Sequence, residues 1–436
     1  MNIQKKISYT EITQKLSFLS ALFFVFWLPL FEGFTPTIFG VWIGFWLLEG
    51  KFKTRFSHFN FKSGLYLSLA AYFLLGILAV FYSSNQDKAW FDVQQKLALV
   101  VFPILLAGMS DYFWKNIRWV FWAFIAGLFV ASIYDLTYAI RASYAAGEAE
   151  GAFRFWVYER HQELGFFQLI NLRMSYFSYG YFSQFMHPSY FSMYLIFGIP
   201  LIYHLYKTSL KPKSLNKIGY FFLGIYFIFI IYLLQSTAGF ISLAVILLLM
   251  LINETSIVKK KKLSFFLFGF ILSIFAILFI VNIKSNHLSD FKNKFSTESV
   301  STSSSIRLEM WKNSYSMWIE NPIIGIGPSD IRDVFKEKLA ESGNIEFATG
   351  NYNMHNQFLE SFIGLGILGL IALLSILFYS FKTALKNKNL LLAYLLIIII
   401  INFFFESVLN RQSGLFFLLF FLSLLVFLPK SLPDKS

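Results

Sequence analysis

The chain has 436 residues, of which 57% are hydrophobic, 20% aromatic and only 14% charged, and its mean hydropathy is +0.60. A soluble domain has roughly 25% charged residues, so this composition excludes a soluble globular protein and predicts one embedded in a bilayer. Cysteine is absent, which excludes a disulfide framework and a thiolate metal site. No basic patch interleaved with aromatic residues accompanies the net charge of +13, which argues against nucleic-acid binding.

Long apolar stretches recur along the chain, and they are long enough to cross the roughly 30 Å of hydrocarbon in a bilayer. They predict about twelve transmembrane helices, near residues 16–31, 34–49, 64–82, 95–109, 117–138, 189–206, 219–235, 239–252, 263–281, 362–381, 390–405 and 413–428. No small-residue cleavage site follows the first stretch, so we expect a retained span rather than a signal peptide. The predicted fold class is an all-α polytopic membrane protein with a large outer loop that contains short helices.

Charged residues predict the orientation of these spans. If the N-terminus is cytoplasmic, the inner segments are residues 1–15, 50–63, 110–118, 207–217, 253–262, 382–389 and 429–436. These segments hold 22 of the 37 basic residues and 4 of the 24 acidic residues, which is the asymmetry of the positive-inside rule. We therefore expect both termini in the cytoplasm and the excess positive charge beside anionic membrane lipids.

Two segments on the predicted outer side are long enough to fold, residues 139–188 and 284–361. Long loops between otherwise short turns usually carry function. The sequence therefore divides into an N-terminal membrane region of about nine spans (1–283), a periplasmic catalytic loop (284–361) and a C-terminal membrane region of about three spans (362–436).

Two short helices are predicted inside the second loop. The apolar stripe of the first comprises Leu308, Trp311, Tyr315 and Trp318. Asn321 before Pro322 ends this helix, and Gly325 and Gly327 then permit a tight turn. The second helix starts after Ser329 and ends at Gly343. Its buried side comprises Ile331, Val334, Phe335 and Leu339.

A His-Asn pair precedes the tenth predicted span. His355 and Asn356 therefore lie beside the unpaired N–H groups of a helix start, where the positive end of the helix dipole favours a phosphate. A neutral imidazole at this place can accept a proton. The Arg307 guanidinium has the fork geometry that suits diphosphate oxygens. Structural explanations stay open at this point, because Arg307 could pair with a carboxylate and His355 could serve as a helix cap.

The order of these motifs resembles the O-antigen ligase and polymerase superfamily. Its main part comprises Arg307, Trp311, Pro322, Gly325, Gly327, His355 and Asn356, followed by a glycine-rich span. Two further segments are similar, HPSYFSMYL from His187 and ESVLNRQSGLFFLLFF from Glu406.

The resemblance implies a metal-independent, inverting glycosyltransferase of the bacterial inner membrane that uses no cofactor. Its donor would be an undecaprenyl-pyrophosphate-linked glycan. Its acceptor would be lipid A core, as in a ligase, or a growing glycan, as in an O-antigen or capsule repeat-unit polymerase. Arg307 would hold the leaving diphosphate, and His355 would deprotonate the acceptor hydroxyl. The implied substrate-binding positions are Asn356, Arg411, His187, Arg173, Arg160, Trp311, Gly325 and Gly327.

One position departs from the family pattern. The family has Ser-Arg-Gly or Ser-Arg-Ala after the seventh span, whereas this chain reads QSTAGF, with Thr237 in place of the arginine. Either Arg411, Arg173 or Arg160 compensates for the missing cation, or donor binding differs, or the protein is weakened. Arg411 is our first choice, because it lies between two spans on the predicted outer face.

Other functional classes remain open. A lipid-linked oligosaccharide flippase or other transporter would need polar groups deep in the spans or paired broken helices, whereas Asp135 and His204 are predicted toward helix ends. A non-catalytic scaffold predicts no coupling between Arg307 and His355. A metal-dependent oligosaccharyltransferase would need an acidic motif in the first outer loop, which has only Glu32.

Overall fold

The structure of the chain is a computed structural model. It describes residues 8–50, 52–56, 60, 62–148, 151, 153–158, 162–209, 214–258, 311, 316–319, 321–341 and 354–429. The regular elements within these ranges are helical, and an isolated bridge joins Trp156 to Ser175. The all-α prediction is therefore confirmed for the described part of the chain.

The helices follow the apolar stretches of the sequence. In chain order they are α1 Tyr9–Trp27, α2 Thr35–Leu48, α3 Phe52–Arg55, α4 Gly64–Val80, α5 Gln86–Lys96, α6 Ala98–Ala107, α7 Asp111–Lys115, α8 Ile117–Gly147, α9 Phe166–Asn171, α10 Tyr179–Phe182, α11 Pro188–Lys207, α12 Ser214–Leu234, α13 Thr237–Val258, α14 Ile331–Glu341, α15 Gln357–Asn387, α16 Leu390–Phe403 and α17 Gln412–Phe427. Single 3-10 turns lie at Glu32–Phe34 and Val408–Asn410.

Five stretches of the described residues are long and apolar enough to cross a membrane. They are Gln86–Ala107, Ile117–Gly147, Lys217–Leu234, Thr237–Glu254 and Gln357–Asn387. Three shorter apolar helices, α4, α16 and α17, coincide with further predicted spans. The chain is thus a multi-pass membrane protein. The count of twelve spans stays a prediction, and the predicted span at 263–281 lies outside the described residues.

The described residues fall into two compact units. Unit 1 is formed within residues 1–28, 32–123 and 301–436, and unit 2 within residues 29–31 and 124–300. Unit 1 therefore combines segments from both ends of the chain. The domain boundaries proposed from the sequence, after residues 283 and 361, remain predictions.

Aromatic side chains fill the core of unit 1. The rings of Phe39 and Phe102 stack with their centroids 4.4 Å apart, and the ring of Phe24 lies 5.7 Å from that of Phe420. These residues belong to α2, α6, α1 and α17, so the aromatic cluster packs α17 against helices from the beginning of the chain.

Glycines set the close helix packing of unit 2. A Cβ atom on Gly198 of α11 would lie 2.9 Å from atoms of both Leu128 and Phe227, and one on Gly239 would lie 2.8 Å from Ser192. Helix α11 therefore packs on α8, α12 and α13 through positions that exclude larger side chains.

Asp135 lies well inside α8, so its predicted place toward a helix end is wrong.

Helix α15 is broken at Gly366, whose φ of 64° and ψ of −163° are not helical. Only glycine adopts this conformation without strain.

In the preceding loop, the second predicted helix is present as α14, and its Ile331 and Phe335 are buried as expected. Of the first predicted helix, residues 316–319 are helical, and Met317, which the predicted stripe did not include, is fully buried.

Candidate functional site

His355 lies immediately before α15 and contacts a carboxylate from a distant part of the chain. Its Nδ1 atom is 3.1 Å from Oε2 of Glu406, which follows α16. The His355 side chain is 29% exposed and that of Glu406 only 5%. The backbone of His355 has a φ of 45°, in the left-handed region that non-glycine residues rarely adopt and that is frequent at functional sites.

The residues beside His355 fix its place in unit 1. The Asn356 side-chain oxygen accepts the N–H groups of Phe358 and Leu359 at 3.0 and 3.1 Å, so Asn356 caps α15. The Gln357 side-chain oxygen accepts the N–H of Leu409 at 2.7 Å. The first turn of α15 therefore holds the loop that carries Glu406.

A second carboxylate joins the same two segments. The Glu360 oxygens accept hydrogen bonds from the Ser407 hydroxyl at 3.1 Å and the Asn410 amide at 2.6 Å. The positive charges of Lys96 and Arg332 also act on this carboxyl group. Lys96 is only 6% exposed and Glu360 also 6%, so a buried lysine acts on a buried carboxyl group in the first turn of α15.

The glycine turn predicted from the sequence packs against the break in α15. Gly325 and Gly327 have φ values of 76° and 96°. The N–H groups of Ile326 and Gly327 donate to the carbonyls of Ile363 and Gly364, each at 3.0 Å. A Cβ atom on Gly325 would lie 2.5 Å from the Gly364 backbone. Both predicted glycines therefore support a backbone-to-backbone contact, which only glycine permits at Gly325.

The Asp330 side chain joins this turn to the residues that follow α4. Its carboxylate accepts the Ser83 hydroxyl at 2.8 Å and the Ser84 N–H at 2.7 Å. Partial burial opposes ionisation, but these hydrogen bonds, with one from Ser329, hold the pKa of Asp330 below its ordinary value. On the other side of the loop, the indole N–H of Trp311 donates to the Met354 carbonyl at 3.3 Å, next to His355.

Unit 2 contains a second cluster of predicted site residues. The Arg173 guanidinium donates to the Gln235 carbonyl at 2.8 Å and lies over the Tyr179 ring, 4.2 Å from its centroid. The Tyr179 hydroxyl is 3.3 Å from Nε2 of His187. Arg173, Tyr179 and Gln235 all have positive φ values, of 60°, 51° and 47°. Strained backbone is therefore concentrated where these side chains meet.

This second cluster lies at the position of the family departure. Gln235 is the first residue of the α12–α13 turn, two residues before Thr237, and Thr237 begins α13 with its side chain exposed. Arg173 is thus brought to the QSTAGF turn, whereas Arg411, our first choice, is exposed at the start of α17 in unit 1. Arg307 and Arg160 lie outside the described residues.

Sequence reasoning missed three charged residues of unit 1, Lys96, Glu360 and Glu406. Glu406 stands in the quoted motif ESVLNRQSG, and Glu360 lies between two apolar stretches. The signal that could have identified them is the rarity of charges buried within a membrane protein, which marks functional positions. Within the described residues, no group of three or more His, Cys, Asp or Glu side chains could hold a metal ion.

Comparison with known proteins shows which family the chain is similar to. Residues 222–374, which include His355 and the glycine turn, match the profile of a family described as O-antigen ligase. An uncharacterized protein of Haemophilus influenzae is 35% identical over 102 residues, which cover 23% of this chain and 25% of that relative. The family match confirms the resemblance of the motifs over this segment and supports membership of this chain in the O-antigen ligase superfamily.

Proposed function

We propose that this protein transfers a glycan from a polyprenyl-pyrophosphate carrier to an acceptor hydroxyl at the periplasmic face of the bacterial inner membrane. The hydrogen bond between His355 and Glu406 is the observation that carries this proposal. A partly exposed histidine oriented by a buried carboxylate suits general-base chemistry, because its ring is held in one tautomer and one direction.

Glu406 decides which ring nitrogen of His355 acts as the base. A carboxylate accepts hydrogen bonds, so Nδ1 carries the proton and Nε2 is the basic nitrogen. Nε2 takes the proton of the acceptor hydroxyl while the hydroxyl oxygen bonds to the anomeric carbon of the donor. The bond from this carbon to the diphosphate oxygen breaks, and the polyprenyl diphosphate leaves with the electron pair. Attack opposite the leaving group inverts the anomeric carbon.

His187, the other candidate base, is engaged differently. Its Nδ1 atom accepts the backbone N–H of Ser189 at 3.4 Å, and its Nε2 atom contacts the Tyr179 hydroxyl. Both ring nitrogens thus have partners in the fold, which favours a role as the cap of α11. We therefore assign the base to His355, whose ring is oriented by the buried Glu406 carboxylate.

The leaving diphosphate needs positive charge around it, because negative charge develops there in the transition state. Arg307 is the candidate that the motif supplies. We propose that Lys96 and Arg332, whose charges act on Glu360, strengthen the positive field near the reacting atoms in unit 1.

The test of the base compares His355→Gln with His187→Gln in purified protein. Glutamine keeps a hydrogen-bonding side chain but cannot take the proton, so His355→Gln should retain donor binding and lose about 10²–10⁴ in turnover. His187→Gln should keep turnover within about tenfold once folded protein is matched. Parental turnover of His355→Gln would remove His355 from the proposed mechanism.

The acceptor distinguishes a ligase from a polymerase, and we propose the ligase reaction with lipid A core as acceptor. A deletion strain analysed on a lipopolysaccharide gel tests this choice. Loss of the whole ladder supports the ligase, while a core that carries one repeat would identify the polymerase.

The expected orientation is checked with Ser214→Cys and Ser303→Cys in this cysteine-free chain. An impermeant thiol reagent applied to intact cells with a permeable outer membrane should label the second variant alone.

A further inference from the structure

A cavity of about 400 Å³ lies among α11, α12 and α13 of unit 2. Its wall comprises Tyr203, Tyr206, Lys217, Tyr220, Gly224 and Met250, with aliphatic side chains between them. The cavity lies toward the last turns of α11, whereas His187 caps the first turn of the same helix. At 1.5 Å per residue the two sites are roughly 25 Å apart along α11, so the cavity is separate from the Arg173–Tyr179–His187 cluster.

The cavity opens beside a helix face that is suited to hydrocarbon. Phe221, Phe222 and Ile225 of α12 are 65%, 62% and 46% exposed, and Phe221 and Ile225 also line the cavity. At Gly224 an added Cβ atom would meet no other atom within 4 Å. An apolar space of this kind, on a helix predicted to cross the bilayer, is entered from the lipid phase, where acyl chains are abundant.

The charges beside the cavity favour an anionic headgroup. Lys207 pairs with Glu254 and lies over the Tyr203 ring, 4.9 Å from its centroid. That pair is neutral overall, whereas Lys217 is exposed and contributes its positive charge to the wall. Tyrosines beside it are typical of the membrane–water interface, where headgroups lie. One lysine near the surface strengthens the binding of an anionic lipid about fivefold.

We propose that this cavity binds one acyl chain of an anionic glycerophospholipid, with the lipid phosphate held by Lys217. The apolar wall accounts for the chain, and Lys217, which has no ion pair among the described residues, accounts for the phosphate. By the positive-inside pattern this end of α11 is cytoplasmic, so the lipid belongs to the inner leaflet. The site does not depend on the glycosyltransferase activity.

Native mass spectrometry of the delipidated full-length protein, with phosphatidylglycerol or phosphatidylethanolamine added back, tests the proposal. Gly224→Leu places a side chain in the cavity wall, where its Cβ atom meets no other atom within 4 Å. It should lower retention of phosphatidylglycerol about tenfold, as expected from the loss of about two buried methylene groups. Gly219→Leu is the matched control, because its Cβ atom also meets open space and Gly219 does not line the cavity. It should bind like the parent.

Lys217→Gln examines the headgroup separately. It should reduce the preference for phosphatidylglycerol over phosphatidylethanolamine about fivefold while retaining binding of either lipid. Parental lipid binding by Gly224→Leu would overturn the cavity as the site. Stronger retention of an added polyprenyl phosphate than of phosphatidylglycerol, or loss of a dimer instead of a lipid in Gly224→Leu, would also overturn the phospholipid assignment.

Discussion

The Nδ1 atom of His355 lies 3.1 Å from the Oε2 atom of Glu406, although the two residues are 51 positions apart in the chain. Helix α15 carries the chain away from His355, and α16 brings it back, so that Glu406 lies beside the start of α15. The contact joins a partly exposed imidazole to a buried carboxylate and orients the ring. In the proposed mechanism it would also stabilise the imidazolium that proton transfer creates.

Replacing Glu406 should therefore impair the chemical step more than donor binding. For Glu406→Gln we expect a loss of about 10- to 100-fold in turnover, which is typical when the group that orients a functional histidine is removed. Glu406→Asp should retain part of the activity, because a carboxylate remains. Turnover and donor affinity measured on the purified variants check this. Equal losses in both quantities would indicate a packing role for Glu406.

Donor binding can be tested by removing the positive charge at Arg173 and placing one at Thr237 instead. If Arg173 replaces the missing family cation, Arg173→Ala should weaken binding of polyprenyl diphosphate by about 10- to 100-fold, the cost of losing one charged hydrogen bond. Adding Thr237→Arg should restore part of this affinity, since Thr237 is exposed at the start of α13. Without any rescue in the folded double variant, the role of Arg173 would be to brace Gln235 and Tyr179.

Gly366 should be intolerant of a side chain. Its φ is 64°, and an added Cβ atom would lie 2.2 Å from the Ile323 carbonyl oxygen. Gly366→Ala should therefore lower the apparent melting temperature in detergent by several degrees, because backbone strain adds to a steric clash. Gly44→Ala, at a helical glycine with open space around it, is the control and should match or exceed the parent. A parental melting temperature for Gly366→Ala would contradict the observed contact.

Asp330 predicts a pH dependence of stability. Hydrogen bonds depress its pKa in the folded protein below the ordinary 3.8, so the charged form contributes stability above that value. The contribution is lost as the pH falls through the depressed folded pKa. Asp330→Asn should thus be less stable than the parent at pH 7, and the difference should shrink below about pH 4. Melting curves of both proteins across this range measure it, and a constant difference would exclude the ionised carboxylate as its source.

The sequence by itself determined the membrane environment and the helical fold class, and its motifs indicated the family. Composition and apolar stretches predict a polytopic helical protein because each span must satisfy its own backbone in lipid. The positive φ values of Gly325 and Gly327 and the buried face of α14 also follow from local residue preferences. These properties follow from the residues of short segments, so they do not depend on which distant parts of the chain lie nearby.

Only the tertiary structure decided which distant side chains meet. The partnership of His355 with Glu406, the burial of Lys96 near Glu360, and the approach of Arg173 to Gln235 each join separate helices or loops. No local periodicity encodes such contacts, since they depend on helix packing and on breaks such as the one at Gly366. The family departure at Thr237 illustrates the limit: the missing cation was evident from the sequence, but the approach of Arg173 to that turn emerged from the packing of unit 2.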